Sequence, residues 1–140
     1  TLESLQTCDR AFTEQALTRE DELATYVNRG ILRMLRSDFA RAHSDFNTAI
    51  AMNPKRSEPY LNMAILRFKE GKSAEALPLF SKAIELGTEV PEIAYYGRGL
   101  SHEDLGNVKA AYADLQRAVA LKPKWDAPAK DLARYQVRTR

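Results

Sequence analysis

The sequence predicts an all-α protein built from a helix–turn–helix unit repeated in tandem, with about eight helices in all. Three observations carry this. A small–large–small stripe recurs as Ala42, Phe46, Ala49 and Ile50, then Ala76, Phe80, Ala83 and Ile84, then Ala111, Leu115, Ala118 and Val119. Spacings of four and three put each set on one side of a helix. The copies lie 34 residues apart from Ala42 to Ala76 and 35 from Ala76 to Ala111, room for two helices and a turn. Six Gly and six Pro in 140 residues are too few for a β-rich or disordered chain. A helix striped in this way cannot bury its stripe alone, so the units must stack on one another.

Taken in order, residues 2–17 read as an amphipathic helix with Leu2, Leu5, Cys8, Ala11, Phe12 and Ala16 on one side. Shifting the stripe back by 34 residues lays Ala42 on Cys8 and Phe46 on Phe12, so residues 1–18 form half a repeat that covers one end of the stack. Thr18 caps the next helix, about Glu22 to Arg36, with Asp21 and Glu22 at its positive end. Ser37 and Asp38 turn the chain. The following helix carries the first full stripe to Met52, where Asn53-Pro54 stops it. Pro59 sits in the first turn of a helix that ends at Gly71. Ser73 is expected to cap the next helix, and Pro78 to bend it mildly. A helix from about Glu92 to Leu105 follows, then the Gly106-Asn107 turn, then the third stripe to Leu121, ended by Pro123. Asp126 is expected to cap a last helix, with Pro128 in its first turn and Leu132, Tyr135 and Ala129 on its apolar side. Its Lys130, Arg134 and Arg138 lie on other faces, as a terminal helix requires. The full units fall at 23–56, 57–91 and 92–125, with the capping helix over 126–140.

The aromatic-to-small pairs Tyr26…Gly30, Tyr60…Ala64 and Tyr95…Gly99, followed by Ala42-x3-Phe46, Ala76-x3-Phe80 and Ala111-x3-Leu115, with Pro54 and Pro123 as closers, resemble the tetratricopeptide repeat. Departures are Arg33, Arg67 and His102, which stand where that family usually has a second aromatic. The resemblance implies a right-handed α-solenoid with a concave groove lined by the first helix of each unit. On that register Val27, Ile31 and Met34 line the groove in the first unit, Leu61, Ile65 and Phe68 in the second, and Tyr96, Leu100 and Glu103 in the third. Asn28 and Asn62 lie beside the strip, able to pair with a bound backbone; Gly97 replaces them in the third unit.

The expected function is a non-enzymatic protein–protein interaction module that binds an apolar peptide or helix of a partner. One branch of the family clamps a chaperone's C-terminal carboxylate with Lys, Arg and Asn side chains. Here Val27, Ile31, Ile93 and Gly97 occupy four of those places and only Asn62 matches, which argues against an acidic tail. The alternative is a self-associating scaffold, since residues 1–22 are acidic and 121–140 basic; the chain is then a monomer or a weak homo-oligomer.

Other chemistries find little support. A net charge of +2 from 21 basic and 19 acidic residues makes no general case for nucleic acid or a membrane surface. No apolar run is long enough to span a bilayer. His43 and His102 are in different units, and consecutive His102, Glu103 and Asp104 point in different directions on a helix, so no metal site is expected. Cys8, the one cysteine, holds a packing position and is expected to be buried and inert. No glycine-rich phosphate loop is present, and neither a cofactor nor a catalytic residue is expected. The start at Thr1 suits a processed or trimmed chain. Small exported bacterial proteins of this repeat type are similar in size, which implies export, with the cytoplasm as the alternative.

Overall fold

The computed structural model describes residues 2–6 and 18–138. Residues 2–6 are helical, and seven further helices follow: α1 (Arg19–Leu35), α2 (Phe39–Met52), α3 (Ser57–Lys69), α4 (Ser73–Glu85), α5 (Pro91–Asp104), α6 (Val108–Leu121) and α7 (Asp126–Arg138). No strand occurs among the described residues. The helices pack most extensively in consecutive pairs, α1 on α2, α3 on α4 and α5 on α6. Contacts of α2 with α3, α4 with α5 and α6 with α7 join the pairs, and α1, α3 and α5 also touch side by side. The result is an all-α solenoid of stacked hairpins. The expectations for Cys8, Phe12 and their neighbours fall on residues 7–17, outside the described residues.

The recurring stripe is the core. Ala42, Phe46, Ala49, Ala76, Phe80, Ala83, Ala111, Leu115 and Ala118 each expose 1% of their surface or less. Small residues on the facing helix make room for the large ones. A Cβ added to Gly30 would lie 2.5 Å from Phe46 Cε1, and one on Gly99 would lie 3.2 Å from Asp114 Cβ and 3.4 Å from the Ala111 carbonyl oxygen. Ala64 is fully buried. Each large side chain thereby removes enough apolar surface from water to contribute about 2–3 kcal/mol.

One turn design recurs within all three hairpins. In the second, the amide of Gly71 donates to the Phe68 carbonyl and that of Lys72 to the Arg67 carbonyl, at 2.9 and 2.8 Å. In the third, Gly106 and Asn107 do the same to Glu103 and His102. Both glycines have φ near +78° (77° and 78°), the left-handed region that spares glycine a Cβ clash. The first hairpin makes the same pair of bonds from Ser37 and Asp38 to Met34 and Arg33, yet Ser37 carries φ 60°.

Helix ends depart from expectation in three places. Thr18 does cap, accepting from the Asp21 amide at 3.1 Å, so α1 starts at Arg19 and not at Glu22. Ser73 is not the cap of α4: Lys72 holds that place without a side-chain hydrogen bond, and the buried Ser73 hydroxyl donates to Asp104 Oδ2 at 2.8 Å. Asp126 lies within the first turn of α7 and not before it. Helix α4 runs unbroken through Pro78, which is exposed.

Candidate partner-binding groove

Adjacent first helices α1, α3 and α5 bring the ten expected groove residues onto neighbouring elements, but at different depths. Asn28 is exposed, and Ile31, Asn62, Ile65, Phe68, Tyr96 and Leu100 are half-buried. Val27, Met34 and Leu61 are buried, each 6% exposed, and they are core residues. Val27 packs with Leu23 and Ala49, Met34 with Phe46, Met63 and Leu66, and Leu61 with Ala76, Phe80 and Ala94. The 34-residue register gives the side of a helix on which a residue lies. It does not say how far the next helix overlaps that side. Ile65 packs against both the first-pair and second-pair clusters while keeping part of its surface open.

The polar residues of the strip are also partly engaged. Asn62 Nδ2 donates to the Glu58 carbonyl at 2.9 Å, leaving its carbonyl oxygen and second N–H. Where Asn28 and Asn62 have side chains, the third unit has Gly97, and a Cβ there would overlap the end of the Phe80 ring. Helix α7 holds the C-terminal end of the strip. The Tyr96 hydroxyl donates to Asp131 Oδ2 at 2.5 Å, and its ring meets Trp125 edge-on at 5.0 Å. Burial first, then the hydrogen bond to Asp131, pushes the Tyr96 hydroxyl up to about 12. Glu103 accepts from the Tyr135 hydroxyl at 2.6 Å and from Arg134 at 3.2 Å.

Two buried carboxylates that pair with arginines of the first helices escaped the sequence reading. Asp45, 2% exposed, accepts from Arg29 Nε and Nη2 at 3.1 and 2.8 Å and from Arg33 Nη1 at 2.8 Å. Asp114 accepts from Arg98 Nε and Nη2 at 2.8 and 2.9 Å, and those bonds raise the Arg98 pKa. Arg98 and Arg117 both lie over the Tyr95 ring, at 5.2 and 5.8 Å. The signal was available: Arg and Asp stand 16 residues apart in both units, while the second unit has Met63 and Leu79 at those places.

His102 Nε2 is 3.9 Å from Asp114 Oδ2 and its Nδ1 is 3.2 Å from Asn107, a structural setting. No group of three or more metal-capable side chains occurs among the described residues, and none of the described helices is long and apolar enough to cross a membrane. A cleft of about 530 Å³ opens between the α3–α4 turn and the end of α5, lined by Gly71, Ser73, Glu75, Asp104 and Leu105 among others; none of the ten groove candidates borders it.

A tetratricopeptide-repeat profile matches residues 61–125. Human serine/threonine-protein phosphatase 5 is 30% identical over 115 residues, covering 82% of this chain and 22% of that protein. Protein CTR9 homolog of Arabidopsis thaliana is 26% identical over 102 residues, 73% of this chain and 9% of its own length; the chain thus spans less than a quarter of either relative. Among solved structures, a MamA RS-1 double mutant superposes with a TM-score of 0.81 at 20% identity, covering 98% of this chain and 74% of that one. The first TPR of Spaghetti (RPAP3), solved bound to the HSP90 peptide SRMEEVD, gives 0.79 at 19% identity over 86% of this chain and 95% of that one. The profile match covers the second and third hairpins, where the buried stripe and the close contacts at Ala64 and Gly99 recur, and the chain belongs to the tetratricopeptide-repeat family.

Proposed function

We propose that this chain is a non-enzymatic protein-interaction module that holds an apolar peptide or helix along its first helices. The observation that carries the reading is the strip of half-buried Ile31, Ile65, Phe68 and Leu100 on adjacent elements. Apolar side chains left partly open in a row offer a partner somewhere to bury its own. Each such burial is worth roughly 1.5–3 kcal/mol before ordering costs. Asn28 and the free half of Asn62 can pair with a bound backbone whatever its sequence. Support comes from the solved relative that carries a peptide.

The peptide in that relative carries three acidic residues among its last four, and this chain suits a different one. Ile31 and the 36%-exposed Ile93 present hydrocarbon where a carboxylate would need a cation, and Gly97 is roofed by Phe80. Val27, Met34 and Leu61 serve by holding the helices at the right spacing. The test is affinity capture of interacting proteins by the parent and by Ile65→Lys and Leu100→Lys variants, each verified as helical by circular dichroism. Loss of a common partner from both is expected. Retention of every partner by both folded variants overturns the reading.

A further inference from the structure

We propose that His43 forms a pH-sensitive joint between the first and second helix pairs. It lies on α2, half-buried, and its Nε2 contacts Nη2 of Arg67 on α3. Its Nδ1 lies 3.0 Å from Asn47 Nδ2, one turn along α2. A guanidinium only donates, so Nε2 must offer a lone pair. A neutral imidazole then carries its single proton on Nδ1, which requires the Asn47 amide to turn its oxygen toward the ring. With the Asn47 oxygen so placed, the joint works with neutral His43 alone. A second proton would sit on Nε2, facing the Arg67 guanidinium, which has no lone pair to accept it.

The surrounding charges do not rescue that state. Arg67 is already held by Glu70 at 3.0 Å. The charges that act on the ring are Arg67 on α3, Glu70 and Lys72 in the α3–α4 turn, and Glu75 in the first turn of α4. Burial, then Arg67, lowers the His43 pKa from 6.5, with the two glutamates acting the other way. An unfolded chain takes up this proton near pH 6.5 and the folded joint resists it. Stability contributed by the joint is therefore present above pH 6.5 and lost as pH falls below it, toward the depressed value. Next to the contact lies the cluster of Met34, Phe46, Met63 and Leu66, which ties α1 and α2 to α3. Acidification thus loosens the stack at its first junction and shifts α3, the helix that carries Asn62, Ile65 and Phe68.

Proton NMR titration of the two imidazoles, assigned by loss of one signal in His43→Gln, tests this. His43 is expected to titrate below 6.5 and to move up toward 6.5 in Arg67→Gln. Hydrogen-exchange protection of α2 and α3 is expected to fall from neutral pH to about pH 5 more than that of α5 and α6, and to fall less in His43→Gln. A His43 midpoint at or above 6.5, as pairing of the imidazolium with Glu70 would give, overturns the proposal. So does an equal loss of protection in His43→Gln and the parent. If His43→Gln does not fold, loss of the other signal in His102→Gln makes the assignment, and the Arg67→Gln shift then decides.

Discussion

Replacing Asp114 by Ala strands Arg98 inside the third hairpin. The Asp114 and Arg98 side chains are 9% and 24% exposed and share two bonds of 2.8 and 2.9 Å. Removing one partner of a buried pair costs about 3–5 kcal/mol, because the survivor keeps its desolvation and loses its compensation. Arg98 keeps some help: a quarter of it is solvated, it lies over the Tyr95 ring at 5.2 Å, and it donates to Ser81 at 3.2 Å. The expected cost accordingly falls at or just below the bottom of that range, about 2–3 kcal/mol. The chain supplies its own control. The second unit carries Met63, 3% exposed, and half-buried Leu79 at the corresponding places. Arg98→Met combined with Asp114→Leu installs that pair, and an ion pair exchanged for fitting hydrocarbon is often neutral or better. The double variant should lie within about 1 kcal/mol of the parent. Urea unfolding followed by helical circular dichroism, on both single variants and the double, reads these values. An Asp114→Ala loss under about 0.5 kcal/mol, or a double variant as damaged as Asp114→Ala, would refute the reasoning.

Ser37→Gly removes a left-handed strain that the matching turns avoid with glycine and should raise stability by about 0.5–1 kcal/mol, read by the same urea curves. Gly30→Ala drives a methyl to 2.5 Å from the Phe46 ring and should cost about 1–3 kcal/mol in thermal or urea unfolding. Tyr96, held neutral up to about 12, contributes stability that is intact below pH 10 and lost as pH rises from 10 through 12. Tyr96→Phe should flatten that alkaline loss in melts across the range, and an unchanged profile would show that ionisation of Tyr96 does not drive it.

The repeat was legible because its cause is local. A small residue every few positions, with one large side chain between, is needed on each second helix whatever surrounds it, and Gly30, Ala64 and Gly99 mark where the partner helix must come close. What was not legible depends on two helices at once. Met34 and Leu61 share a side with Ile31 and Ile65, but only the neighbouring hairpin decides which of them is covered. Ser73 has the chemistry of a cap, yet Asp104 from the next hairpin takes its hydroxyl. Arg29 and Asp45, 16 residues apart, meet only because α1 and α2 are set face to face. Tyr96 and Glu103, chosen for the groove, turn toward Asp131 and Tyr135 because α7 packs on their end of the stack.

Site-specific photo-crosslinking tests the binding strip most directly. A photoreactive residue at Asn28 or Leu100 should trap the same partner protein, while one at exposed Ala113 or Gln116 on α6 should not, and Ile65→Lys should abolish trapping from both strip positions without loss of helicity. Equal trapping from α6, or undiminished trapping in the folded Ile65→Lys variant, would contradict a partner seated along the first helices.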